Sequence, residues 1–304
     1  MQLHDTTTVD IAATLNSLRV QAGSVTLGRV LTLLVIVPHA QAAEEAITTA
    51  RATSRAHPCR VVVIIETSAT EEDRLDAELR IGESEGASEV VILHPHGGIR
   101  DSLDSLVMPL LLPDTPVVVW WPFGAPTSPA EHPLGHMAQR RITDTRACAD
   151  PISALDALGL NYRPGDTDLA WAGITLWRAL AVTLVEERPR AQVERVTVRG
   201  NRAHPSTHLM AGWLGLLLEV PVALDHVETA TLRDVVMHRS DGDLAIRRAD
   251  GENVAWLCHP ARVDQPVNLP RRSLADCLTE DLRRLNPDAM YARVITRGLA
   301  LLKD

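Results

Sequence analysis

Three histidine pairs, His94/His96, His132/His136 and His204/His208, are the first candidates for chemistry in this sequence. The last two have i, i+4 spacing, which sets two imidazoles on one helix face and could hold a metal ion. Neither carries the glutamate of a His-Glu-x-x-His site. His94, His132 and His204, like His57, each precede a proline. That is a loop and turn context, so ordinary polar loop histidines are the preferred reading. Asp166 and Asp168 form an Asp-x-Asp pair that could grip a hard cation. They also open the segment 169–187, and acids are favoured at a helix N-terminus. Capping is preferred.

Two glycine motifs invite other chemistry. Gly82-Glu83-Ser84-Glu85-Gly86 fits the Gly-x-Ser-x-Gly elbow of acyl-transfer enzymes, which needs a strand before the serine and a helix after it. Here a strand follows, and two glutamates beside the serine oppose a developing oxyanion. The motif reads as a hairpin loop. Gly23 to Gly28 has phosphate-loop spacing but continues into Arg29-Val30, where a lysine and a hydroxyl are required. It also precedes its strand.

The composition narrows the classes further. Thirty basic against 39 acidic residues give a net charge of −9, which argues against nucleic acid and against an anionic membrane. The single lysine is Lys303, so Schiff-base chemistry and a phosphate-cradling lysine have no candidate. No stretch is apolar enough to span a bilayer, and residues 1–19 lack the pattern of a signal peptide. The four cysteines, Cys59, Cys148, Cys258 and Cys277, include no Cys-x-x-Cys pair and indicate neither a disulfide framework nor a zinc ribbon. A soluble, cytoplasmic protein with no cofactor and no metal is the expectation.

The elements that must position these residues come in strand–helix alternation. Residues 29–37, 60–65, 89–93 and 116–121 are continuous β-branched or Leu-rich runs, as in strands buried on both faces. Residues 75–81 alternate apolar and charged, which predicts a strand at a sheet edge. Helices are predicted around 43–55 and over 101–112, a long proline-rich loop over 122–135 and a short strand over 140–145. After the Pro/Gly break at 161–166 a helix carries Trp177, Leu180, Ala181, Leu184 and Val185 at helical spacing. Strands over 193–199, 220–224, 232–239, 244–248 and 254–258 follow, with a buried helix near 206–218 and an Asp241-Gly242 hairpin turn. Helices over 273–285 and beyond Pro287 end the chain. The expected fold is α/β in two domains, 1–162 and 163–304. The first is a mainly parallel sheet covered by helices, the second a mixed sheet ending in antiparallel strands and C-terminal helices.

In parallel sheets ligands and partners gather at the carboxyl ends of strands. That draws attention to Trp120-Trp121-Pro122, then to Arg140, Arg141 and Asp144 beyond the proline loop. Asp168, Trp171, Trp177 and Arg178 open the second domain. Trp and Arg are frequent interface anchors, so Trp120, Trp121, Arg140, Arg141, Asp144, Asp168, Trp171, Trp177 and Arg178 are the candidate partner or anion contacts, weighed against simple domain packing. If 140–145 is a strand, Arg140 and Arg141 alternate faces. The inward one should pair with Asp144 or another carboxylate, and the outward one is then the better partner or phosphate contact.

The ordered segments "RAHPCRVVVI", "LLLPDTPVVVWWPFGAP", "RRITDT", "DTDLAWAGITLWRALAV" and "LMAGWLGLLLEVPV" resemble the glucose-6-phosphate dehydrogenase assembly protein (OpcA) family. The resemblance is strong over about residues 25 to 225 and looser beyond. It implies a non-catalytic partner that supports assembly or activity of the NADP-dependent dehydrogenase opening the oxidative pentose phosphate pathway. By position it carries over His57 to Arg60, Trp120 to Pro122, Arg140 to Asp144, Asp168 to Trp171, and Trp177-Arg178. The competing readings are an enzyme acting on a sugar phosphate, with its anion site near Arg140 and Arg141, and a sensor of a phosphorylated metabolite.

Overall fold

Seven consecutive apolar or threonine residues, Leu31–Val37, have no wet face to offer and must run through the middle of a sheet. In the computed structural model, which describes residues 1–21, 29–66, 72–81, 89–186 and 191–302, they do so. Eight strands form the first sheet: β1 (Gln2–Leu3), β2 (Leu31–Val37), β3 (Cys59–Ile65), β4 (Arg74–Arg80), β5 (Glu89–His96), β6 (Val117–Trp121), β7 (Arg140–Thr143) and β8 (Asp166–Asp168). Their order is β1-β4-β5-β3-β2-β6-β7-β8. The β2–β3, β3–β5, β2–β6 and β6–β7 pairings are parallel, while β4 runs antiparallel to β5 and β1 to β4. The alternating strand β4, expected at the edge, is instead one place in from it, because the two residues of β1 pair with its outer side. The glycine-rich segments 23–28 and 82–86 lie outside the described residues, and β4 and β5 on either side of 82–86 are antiparallel.

Polar residues inside this sheet are matched to each other. Arg60 and Glu89 are register partners across β3 and β5. The Arg60 guanidinium donates from Nε to Glu89 Oε2 at 3.1 Å and from Nη1 to the Leu110 carbonyl at 2.6 Å. Arg29 Nη2 takes the other oxygen of Glu89 at 2.7 Å. The Ala40–Ser54 helix packs Ala43, Ala46, Ile47 and Ala50 against the sheet, all buried.

The second sheet consists of β9 (Val193–Gly200), β10 (Val222–His226), β11 (Leu232–Arg239), β12 (Leu244–Arg248), β13 (Val254–Cys258) and β14 (Gln265–Asn268). Its order is β10-β9-β11-β12-β13-β14. Only β9–β10 is parallel. The β11–β12 hairpin turns at Gly242, whose φ of +116° excludes most side chains. One face of this sheet packs on the Thr175–Glu186 and Pro205–Leu218 helices through Trp177, Leu209, Met210, Leu214, Val198, Val235 and Ile246. The latter helix is buried nearly all round over its first three turns. It meets the Val294–Gly298 π-helical turn at Gly212 and Gly298, where a Cβ on Gly298 would lie 2.8 Å from the Gly212 carbonyl oxygen.

Several elements differ from expectation for local reasons. The single helix expected over 101–112 is a 3-10 turn Gly97–Ser102, a short helix Leu103–Val107 and a 3-10 turn Met108–Leu110. Pro109 has no amide proton to continue the ladder. The proline loop contains a 3-10 turn, Pro129–Glu131, and a one-turn helix, Pro133–His136. The Leu274–Asp281 helix stops short of residue 285. The helices Thr8–Gln21 and Pro151–Leu160 were not expected.

The chain divides into two compact units. Unit 1 comprises Met1–Asp144, Gly165–Thr167 and Leu274–Pro287, and unit 2 comprises Thr145–Pro164, Asp168–Ser273 and Asp288–Asp304. No helix among the described residues is long and apolar enough to cross a membrane.

Candidate functional site

In the order β5-β3-β2-β6 the strands β3 and β5 lie on one side of β2 and β6 lies on the other, and such switch points are where doubly wound sheets bind nucleotides. That binding uses a glycine-rich turn and the free amides of the following helix. Here the turn after β2 is Pro38-His39, and His39 Nδ1 accepts from the Ala42 amide at 3.2 Å. An imidazole caps the helix where a pyrophosphate would sit.

The nine candidate residues are almost entirely internal. Trp120, Trp121, Arg140, Arg141, Asp144, Asp168, Trp171 and Trp177 are all buried, and Arg178 is half-buried. In unit 1, Arg140 donates from Nε and Nη2 to Asp281 at 3.2 and 2.6 Å and from Nη1 to the Asn286 carbonyl at 3.0 Å. Arg141 is held by the Asp166 carboxylate and donates from Nη1 to the Ala138 carbonyl at 2.9 Å. The two arginines do alternate faces, but the expectation that one faces outward is corrected. Strand β7 has a neighbour on each side, and both of its faces are covered. Each guanidinium therefore needs its own buried carboxylate, and each has one. Trp120 is fully buried with its Nε1 unpartnered, and Trp121 packs edge-on against His132 at 5.4 Å between centroids.

In unit 2, Asp168 caps the Leu169–Gly173 helix by accepting from the Ala170 amide at 2.9 Å. It also accepts from the Thr145 amide and hydroxyl at 2.8 and 3.0 Å. Trp171 donates from Nε1 to Asp288 at 2.9 Å, and the Arg178 guanidinium stacks on its ring at 3.6 Å. Trp177 lies under the Arg248 guanidinium at 5.0 Å. The structure thus brings Trp171 and Arg178 together and ties Asp168 to the turn beside them.

The histidines are mostly structural. His132 and His204 act as helix N-caps, each accepting at Nδ1 from an amide at 3.2 Å. His57 Nε2 lies 3.0 Å from the Thr279 carbonyl, and His96 Nε2 lies 3.4 Å from Asp76. No disulfide joins the four cysteines. The Cys258 thiol is pushed up to about 11 by burial and by the Asp264 carboxylate 3.2 Å away.

Two features were not anticipated. Trp256, on β13, is 49% exposed beside the exposed Val254. Arg146, Arg248, Arg271 and Arg272 line one cavity of unit 2, together with His204. The arginine doublets at 247–248 and 271–272 are visible in the sequence, but nothing local shows that they converge.

Residues 50–159 match the family model described as glucose-6-phosphate dehydrogenase subunit N-terminal domain, and residues 164–295 match the one described as its C-terminal domain. The chain belongs to the OpcA family. Both OpcA-family matches include polar residues that are paired internally: Arg60 with Glu89, Arg140 with Asp281, Asp168 with its own helix. No curated protein gave a significant match to this OpcA-family chain. Among solved structures it is similar to a 3-ketoreductase from Actinomadura kijaniata, at 12% identity and a TM-score of 0.49, covering 88% of this chain and 94% of that one. It is also similar to myo-inositol dehydrogenase from Lactobacillus casei, at 12% identity and a TM-score of 0.39, covering 90% and 94%. An NAD binding oxidoreductase from Klebsiella pneumoniae aligns at 9% identity and a TM-score of 0.44, covering 90% and 96%. At these values the likenesses carry no functional weight.

Proposed function

We propose that this chain is a non-catalytic assembly or activator subunit of NADP-dependent glucose-6-phosphate dehydrogenase. The observation that carries the reading is the pair of family matches over residues 50–159 and 164–295. Three structural facts support it. The imidazole of His39 occupies the helix amide that a dinucleotide phosphate would need. Arg140 and Arg141, the arginines best placed for a substrate anion at the end of the sheet, are each held by a buried carboxylate. Trp256 stands exposed on a sheet face, as an interface anchor must.

An effector must bind the active or assembled dehydrogenase better than the inactive form, because equal affinity shifts no equilibrium. Tenfold activation needs a differential of about 1.4 kcal/mol, within the reach of one well-packed aromatic anchor. The test is to titrate the protein into the purified dehydrogenase of the same cell, following NADP reduction and complex mass. Both should change at micromolar concentration. If neither does, the effector reading fails and an enzyme acting on a sugar phosphate becomes the better account.

A further inference from the structure

Within unit 2, a cavity of about 150 Å³ is walled by Arg146, Arg248, Arg271 and Arg272, with Trp177 and His204 between them. None of its lining residues among those described is a carboxylate. Asp250 pairs with Arg271 from outside this lining.

Arg248 is the unusual member. It is 5% exposed, and its guanidinium donates to the Leu269 carbonyl at 3.0 Å, the Leu232 carbonyl at 3.2 Å and the Thr231 hydroxyl at 3.4 Å. Every one of these acceptors is neutral. A guanidinium buried against neutral acceptors and the Trp177 ring, with no carboxylate among its hydrogen-bond partners, is costly unless an anion completes it. Burial, followed by the charge of Arg271, pushes its pKa down, and Asp250 opposes this only in part.

Most of the remaining wall is apolar, through Ile174, Leu176, Leu232 and Pro270, and one part of it adds positive potential. His204 accepts the Ser206 amide at Nδ1, 3.2 Å away, at the start of the 14-residue Pro205–Leu218 helix. The positive end of that helix dipole therefore borders the cavity.

We propose that this cavity binds a phosphate monoester, with Arg248 as the buried anchor and the other three arginines around it. The volume admits several waters at ~30 Å³ each but is below the roughly 300 Å³ of a site that swallows a whole drug-sized ligand. It therefore takes a head group and leaves the rest of the molecule outside. Several guanidiniums suit the two charges and three terminal oxygens of a phosphate better than the single charge of a carboxylate.

The test uses the full chain alone, so it stands or falls separately from the dehydrogenase reading. Calorimetric titration and melting curves are measured with glycerol 1-phosphate, inorganic phosphate and glycerol. The ester should bind at low-millimolar concentration or below and raise the melting temperature, and glycerol should do neither. Tighter binding of the ester marks an esterified ligand, and equal binding of inorganic phosphate marks the free anion; both support the site. Arg248→Met should weaken binding by roughly tenfold or more, the loss of a charge-assisted hydrogen bond. Because Arg248 is buried, Arg146→Gln and Arg271→Gln serve as second variants with the same expectation. Absence of ester binding, or binding that all folded variants retain in full, overturns the proposal.

Discussion

Arg140 and Asp281 form a buried ion pair, Nη2 to Oδ1 at 2.6 Å, across 141 residues of sequence. It joins strand β7, inside the N-terminal family match, to the Leu274–Asp281 helix, inside the C-terminal one. Thr167 adds its hydroxyl to the same carboxylate oxygen at 3.3 Å. A helix from late in the chain thus completes the interior of unit 1.

Removing one partner of that pair leaves a charge buried alone. Asp281→Ala is expected to destabilise by about 3–5 kcal/mol, whereas the double change Arg140→Met with Asp281→Leu should recover most of the loss. Urea denaturation of the three proteins decides it. A double variant no more stable than the single one would show that the pair is not the source of the cost.

Much of this architecture was legible in the chain itself. The buried strands β2, β3 and β6 are runs with no polar alternation, and only a doubly covered parallel sheet accommodates them. In the Thr8–Gln21 helix the apolar face of Ile11, Leu15 and the partly buried Ala12 and Leu18 is blurred in the sequence by the exposed Val9 and Val20. The site was less legible. Tryptophan reports a large apolar surface, not which way it points, and Trp120, Trp121, Trp171 and Trp177 all turned inward. In β13 the alternation is silent as well, because Val254 and Trp256 are as apolar as Ala255 and Leu257. Arg146, Arg248 and Arg271 converge only once the second sheet has formed.

His204 gives the stability a pH dependence of known sign. Burial, then Arg146 and Arg271, hold its pKa down at about 4 against an ordinary 6.5. Below 6.5 the unfolded chain takes up a proton that the native state refuses until about 4, so stability falls as the pH drops through that window. The cost approaches about 3 kcal/mol at the acid end. His204→Asn keeps a capping acceptor and loses the titration. Its unfolding free energy, measured by urea titration at successive pH values, should fall less steeply than that of the unchanged protein. Parallel acid limbs would contradict the assignment.

Cys258 should be a sluggish nucleophile. With its pKa pushed up to about 11 by burial and by Asp264, only about one thiol in ten thousand is ionised at pH 7. Iodoacetamide labelling, read by peptide mass, should therefore be far slower at Cys258 than for an ordinary exposed cysteine. Asp264→Asn removes the adjacent negative charge and should speed the labelling. An unchanged rate in that variant would mean that burial alone controls the thiol.

Trp256 separates interface from core within the proposed function. It lies in register with Arg247 on β12 and Pro266 on β14 and is 49% exposed, while its neighbours Ala255 and Leu257 belong to the core. Truncating an exposed side chain away from special features changes stability by only ~0.5 kcal/mol or less. Truncating an aromatic anchor at the centre of a contact costs ~2 kcal/mol or more, roughly a thirtyfold loss of affinity. Trp256→Ala should therefore leave the melting curve almost unchanged and weaken the complex with the dehydrogenase. Trp177→Ala, by contrast, empties a buried site and should cost about 3–5 kcal/mol of stability. Mass photometry of the titrated mixture, with melting curves of each variant, distinguishes the two effects. If Trp256→Ala binds the dehydrogenase as well as the unchanged protein does, the contact lies on another face of the chain.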